Sequence, residues 1–265
     1  MSKAQDVLQW LYAAENDSGG IAAWKSNNGW HVSYPEVSGY LIPTLIQWGA
    51  TDLAVRNMEW LLSIQNPTGS WDGIDGKPRT FDTSAVVEGL KALKMSRHAS
   101  VRNAKVWMKA QRMDNGHLRT SPDSSETRIY NLRASQIIGD ELPALDLPNP
   151  ERTHYMAYGL EGMWKAGMKP QVIEQLQVST NAILSSGLMP CWVGPGYNSG
   201  TGTDTCATAQ YAMLYGWAGM SKEGERLIRA VESMTTNGGI RHDLEDNREI
   251  SWAAKFYLDA LKANT

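Results

Sequence analysis

Phenylalanine occurs twice and cysteine twice in 265 residues, no apolar run approaches the length of a membrane span, and the formal charge is only −3. Each scarcity closes a route. Cys191 and Cys206 cannot frame a disulfide scaffold in a chain of this size, so a reducing compartment is the default. A small charge without a basic stripe leaves nucleic acid and anionic membranes without an electrostatic footprint. A spanning helix needs roughly 20 apolar residues, and none is predicted. The opening "MSKAQDVLQWLYAAEN" lacks the apolar core of a signal peptide, so a cytoplasmic location is expected. Against two Phe stand 11 Trp and 10 Tyr. Bulk alone would be served by Phe; rings with a polar handle point to half-exposed positions around a wet cavity.

What the chain does have is self-similarity. A turn of glycine followed by an apolar residue recurs as "GGIAAW", "GSWDGI", "NGHLRT", "SGLMPCW" and "NGGIRHD", each ahead of a helical segment rich in small and apolar residues. The six helical segments are "YPEVSGYLIPTLIQWG", "DTSAVVEGLKAL", "SETRIYNLRASQIIG", "RTHYMAYGLEGMWKAG", "TDTCATAQYAMLYGWAG" and "REISWAAKFYLDALKA". Their apolar residues go most of the way round, as in helices buried on both sides. Amphipathic segments alternate with them, at Ala4 to Glu15, Leu53 to Gln65, Val101 to Gln111, Val172 to Ser185 and Lys222 to Thr235. Asp140 to Glu151 carries three prolines, which predicts a loop in place of a sixth outer helix. The pattern predicts an all-α chain of one domain, residues 1–265: an α/α toroid of six inner and five to six outer helices.

Gln65, Gly69 and Trp71 form Gln-x-x-x-Gly-x-Trp, which resembles the QW motif of the terpene cyclase and prenyltransferase toroid superfamily. "FDTSAVVEGL" and "TDTCATAQYAML" resemble the inner-helix openings of that superfamily. The resemblance implies the architecture rather than the chemistry. It also implies a test for zinc, which prenyltransferases of this type bind through Asp-x-Cys and a histidine of the next repeat. Asp204 and Cys206 match the first half. Ser251 or Trp252 stands where the histidine would fall, and His242 lies several residues early, so no cofactor is expected and zinc is the minority alternative. The acid motif Asp-x-Asp-Asp of the cyclases is absent.

In a toroid the turns ahead of the inner helices converge on one mouth, where helix N-termini direct partial positive charge. Candidate residues there include Tyr34, Glu36, Asp72, Arg79, Arg119, Arg128, Arg152, His154, Tyr158, Tyr197, Asn198 and Arg248. Arg79, Arg119, Arg128, Arg152 and Arg248 suit an anionic ligand, because guanidinium grips carboxylate at two points; the blander alternative is that each pairs with a nearby acid. His154 and Tyr158 share a helix face and could serve as an acid/base pair. Glu36 and Asp72 could supply carboxylate catalysis, whereas Asp82 and Asp204, each followed by Thr, read as helix caps. Trp71, Trp192 and Trp252, with Tyr34, are candidate faces for stacking a sugar ring. The expected activity is lyase, epimerase or hydrolase chemistry on an acidic, uronate-containing poly- or oligosaccharide. The alternatives are an isoprenoid-processing enzyme and a non-catalytic toroid that binds glycan or protein.

Overall fold

The computed structural model describes residues 2–140, 142–143, 150–194 and 202–265. The expected proline-rich loop at Asp140 to Glu151 falls largely outside these residues, and Tyr197 and Asn198 fall outside them entirely. Eleven α-helices lie among the described residues: α1 (Lys3–Ala13), α2 (Pro35–Gln47), α3 (Thr51–Ser63), α4 (Thr80–Ala92), α5 (Ala99–Lys109), α6 (Leu132–Ile138), α7 (Thr153–Lys165), α8 (Lys169–Ser179), α9 (Thr205–Trp217), α10 (Ser221–Ser233) and α11 (Ser251–Ala263). None is long and apolar enough to cross a membrane. Two kinds of helix alternate, as the sequence pattern predicts. In α4 the stretch Thr80 to Val87 is buried without a break, and in α9 so is Thr205 to Tyr215. In α10, by contrast, Gly224, Leu227, Ile228, Ala230 and Val231 are buried, a stripe at helical spacing. The all-round buried helices are α2, α4, α7, α9 and α11, and the short α6 follows a 3₁₀ turn, Ile129–Asn131.

The chain forms two compact units. One comprises Met1–Leu11, Trp24–Gly29 and Asp146–Thr265, and the other Tyr12–Ala23 and Trp30–Leu145. In the second unit α4 packs on α2, α5 and α6, and in the first α9 packs on α7, α10 and α11. Small residues set these approaches. A methyl group built on Gly89 would sit 2.2 Å from the Gly39 carbonyl oxygen, so α2 and α4 meet backbone to backbone.

The repeated turns share one hydrogen-bond frame. Asn16, Asn66, Met113 and Leu184 each accept at the carbonyl from the glycine three residues on, and donate through N–H to the carbonyl of the residue after that glycine, all at 2.8–3.1 Å. The glycines are Gly19, Gly69, Gly116 and Gly187, with φ from +81° to +101°, a region closed to most side chains. The next apolar residue is then tied to a buried helix: Ser38 Oγ accepts from Ile21 N at 2.8 Å, Thr83 Oγ1 from Trp71 N at 3.0 Å and Thr208 Oγ1 from Met189 N at 2.9 Å. Each acceptor is the fourth residue of its helix. The first helical residue is stitched to the following turn, Thr80 N to Thr120 O, Thr153 N to Cys191 O and Thr205 N to His242 O, at 2.9–3.0 Å. These bonds satisfy helix N–H groups that have no partner within the helix.

Gln65 and Trp71 take structural places in this frame. Gln65 Nε2 donates to Gly69 O and to Ser100 O at 2.9 and 3.0 Å, joining the turn to α5. Trp71 Nε1 donates to Leu61 O at 2.7 Å, and the ring is fully buried. Trp71 is therefore a core residue and not a surface for stacking a ligand.

Candidate functional site

The frame fixes a register for comparing repeats. The residue before each buried helix is Tyr34, Arg79, Arg152, Asp204 or Ile250, and the second helical residue is Glu36, Phe81, His154, Cys206 or Trp252. In this register Asp82 is the third residue of α4 and does not match Asp204. Asp204 is a cap, its Oδ1 accepting from Ala207 N at 2.7 Å. Asp82 is not, because Arg79 occupies the cap position of α4. "TFDT" aligns with "TCAT", not "DTSA" with "DTCA", and the expectation of a cap at Asp82 was three residues out of step.

In the first unit the site is built around His154. Its Nδ1 lies 2.6 Å from Gln210 Oε1 and 3.4 Å from Cys206 Sγ. Tyr158, one turn on, meets the imidazole edge to face at 4.7 Å and contacts Phe256 on its other side at 5.6 Å. With 1% exposure, Tyr158 packs against His154 within the core, and the two side chains share one face of α7. Burial is the largest influence on His154 and lowers its pKa; the nearby Arg152 and His242 lower it further, against Asp204 and the Gln210 hydrogen bond. The imidazole is thus held neutral. With Gln210 Oε1 as acceptor, Nδ1 carries the proton and Nε2 the lone pair. Gln210 Nε2 and His242 Nδ1 are buried with no partner among the described residues.

Arg152 stands two residues before His154. Backbone pairing of Glu151–Arg152 with Trp192–Val193 sets Arg152 opposite Trp192, and the guanidinium lies 6.0 Å from the Trp192 ring centre and 5.6 Å from that of Tyr155. No carboxylate pairs with it among the described residues. The other candidate arginines are engaged nearby in sequence: Arg79 with Asp75, Arg128 with Glu126, Arg248 with Asp246, and Arg119 Nη1 with Pro122 O at 3.1 Å. These pairs close their own turns, a more local form of the stitching considered from sequence. Trp252 meets Trp24 edge to face at 6.3 Å, and Arg248 lies over Trp24.

In the second unit Tyr34, Glu36 and Asp82 come together. Tyr34 Oη donates to Glu36 Oε2 at 2.6 Å and also hydrogen-bonds the Asp82 carboxyl. Burial pushes Asp82 up to about 6, although Tyr34 and Arg79 act in the opposite sense. Burial also raises Tyr34 well above the ordinary phenol range, followed by the charges of Asp82 and Glu36. Asp72 is turned elsewhere, accepting from Asn66 Nδ2 at 2.7 Å within its own loop.

The residues of the minority zinc alternative make other contacts here: Asp204 caps α9 and Cys206 Sγ lies 3.4 Å from His154 Nδ1. Among the described residues, His242 comes together with Asp243 and Asp246, their donor atoms within 4.8 Å of one another. Asp246 is already bound to Arg248, and Asp243 Oδ1 accepts from the N–H groups of Glu245 and Asp246.

No protein-family model matches the chain, and no curated protein matches it. Solved structures do. An α-amylase from Clostridium perfringens is 12% identical with a TM-score of 0.73, covering 100% of this chain and 98% of its own. An unsaturated glucuronyl hydrolase specific for heparin is 14% identical with a TM-score of 0.73, covering 99% and 96%. The type II terpene cyclase MstE from Scytonema, bound to geranylgeranyl dihydroxybenzoate, is 12% identical with a TM-score of 0.73, covering 99% and 96%. All are α/α toroids, and the chain has that fold.

Proposed function

We propose that the chain is a carbohydrate-active enzyme that removes a proton beside the carboxylate of a uronate sugar, as a lyase or an epimerase. The carrying observation is Arg152, a guanidinium flanked by the Tyr155 and Trp192 rings and two residues from a neutral imidazole. In a uronate the acidic C–H is one bond from the carboxylate. A cation that holds the carboxylate at the start of α7 therefore brings that C–H toward a base on the same helix turn. His154 is suited to be the base: Gln210 fixes its tautomer and burial keeps it unprotonated. Arg152 stabilises the charge that builds on the carboxylate as the proton leaves. Trp192 offers a face for the sugar ring, and the unpaired Gln210 Nε2 and His242 Nδ1 suit the hydroxyls of such a ligand. Similarity in fold to a glucuronyl hydrolase and an amylase agrees with a sugar substrate.

The test is a panel of uronate-containing oligosaccharides, followed by absorbance of the unsaturated product and by solvent deuterium entering the recovered sugar. Arg152→Ala should raise KM and lower kcat. His154→Gln should lower kcat by about 10²–10⁴-fold with binding retained. Deuterium exchange and elimination that persist in His154→Gln would place the base elsewhere. Turnover of a prenyl diphosphate instead of any uronate would favour the isoprenoid alternative.

A further inference from the structure

The second unit holds a cluster that the His154 chemistry does not use. Tyr34 has one hydroxyl proton, and it points to Glu36 Oε2 at 2.6 Å. The same hydroxyl also hydrogen-bonds Asp82. A phenol gives its one proton fully to only one of two carboxylates, here Glu36, which leaves the other the better placed to carry a proton itself. Asp82 is the one placed for it. The residue is 5% exposed, and its Oδ1 is buried without a hydrogen-bond donor. An ionised oxygen left so would be costly, whereas a neutral carboxyl is not. The charged or titratable groups around it are Tyr34 from the residue before α2, and Arg79 and Asp75 from the turn before α4. Arg79 is itself bound to Asp75.

The surroundings of Oδ1 also bear on its use. Gly73 lies beside it, and a methyl group there would come within 3.3 Å of Oδ1 and 2.7 Å of Arg79 Cγ. The φ of Gly73 lies outside the left-handed region, so the backbone does not require glycine at this position. What glycine provides is the absence of a side chain over the acid.

We propose that Asp82, with Tyr34 and Glu36, is a second catalytic centre: a neutral carboxylic acid that protonates the bridging oxygen of a glycosidic acetal. The Asp82 proton passes to that oxygen as its bond to the anomeric carbon breaks, and the alcohol leaves. The Glu36 carboxylate stabilises the positive charge on the sugar. Water adds to the carbon and returns a proton to Asp82, so one acetal and one water give two hydroxyl products. This assignment is independent of the His154 reading, and the two fail separately.

Two measurements test it in the whole chain. The first is a ¹³C NMR titration of labelled aspartate, with Asp82→Asn identifying the resonance. A carboxyl still neutral at pH 5 supports the assignment, and one already ionised there overturns it. The second is release of aglycone from a panel of aryl glycosides and aryl glycuronides. Wild type should release it, and Asp82→Asn should lose about 10²–10⁴-fold in rate. Gly73→Ala, which crowds Oδ1 and Arg79 Cγ, should lose activity while remaining folded by circular dichroism at the assay temperature. No release from any member by wild type, or full activity in Asp82→Asn, overturns the catalytic role.

Discussion

His154 in one unit and Asp82 in the other sit in the first turn of a buried helix, at its second and third residue, and burial is the largest influence on both. The consequence is opposite in chemistry and alike in charge. A base loses its proton, an acid keeps it, and each is neutral where its free counterpart would be more often ionised. The partners differ accordingly. His154 has an amide, a thiol and a ring around it, whereas Asp82 shares a phenol with a second carboxyl. The lesson is that one structural position can host either half of acid–base chemistry, with neighbours deciding which.

The pH dependence of stability gives the largest effect by which this contrast can be broken. The folded pKa of Asp82 lies above its unfolded value, so its contribution is fully present below about 4 and is lost as pH rises through about 6. A carboxyl raised from about 4 to about 6 by folding corresponds to about 3 kcal/mol. Asp82→Asn should abolish that loss and be the more stable protein at pH 7.5, by denaturant unfolding, with little gain at pH 4. His154 has the reverse sign. Its folded pKa is lowered, so stability is present above the ordinary imidazole value of 6.5 and is lost as pH falls below it. His154→Gln should therefore lose less stability than wild type between pH 7 and 5. If both variants shift in the same direction with pH, the neutral-acid and neutral-base assignments cannot both stand.

The architecture was legible because its determinants are local. Turn glycines at positive φ, small residues at helix contacts and two kinds of hydrophobic periodicity are written directly into the chain. Six buried and five amphipathic segments in the sequence correspond to α2, α4, α6, α7, α9, α11 and to α1, α3, α5, α8, α10. Glu36 and Tyr34 were recognisable as polar residues at a helix start, but Asp82 was misread because Asp-Thr occurs in two registers. The better signal was the paired threonines: Thr80 and Thr205 both open a helix, and Thr83 and Thr208 both lie three further on. Gln210 was missed because it lies mid-helix, where only the fold brings it to His154. Trp71 was misjudged since a ring next to an acid in a turn reads the same whether it faces out or in.

The shared register makes a second prediction, of intermediate size. Thr83 and Thr208 each accept a buried turn N–H, and valine keeps the shape while removing the acceptor. Each substitution should cost about 1–3 kcal/mol, the penalty of a buried donor left unpaired. Similar losses in chemical unfolding would support the equivalence of the two repeats. A loss at one site and none at the other would show that the register relating α4 to α9 is wrong, and with it the distinction between Asp82 and Asp204.

That distinction carries the smallest effect. Asp204 Oδ1 accepts from Ala207 N at 2.7 Å, so Asp204→Ala removes a cap and should cost about 0.5–2 kcal/mol. Asp204→Asn keeps an acceptor oxygen and should recover most of that loss. Asp82 has no such bond to a downstream helix N–H to lose, since Arg79 holds the cap position of α4. Asp82→Ala should therefore lower the melting temperature less at pH 8 than at pH 4, because only at the lower pH does the fold gain from binding the Asp82 proton. The decisive comparison is the melting temperature of both alanine variants at the two pH values. A pH-independent loss at Asp82 equal to that at Asp204 would return Asp82 to the role of a cap and remove the structural basis for a neutral acid there.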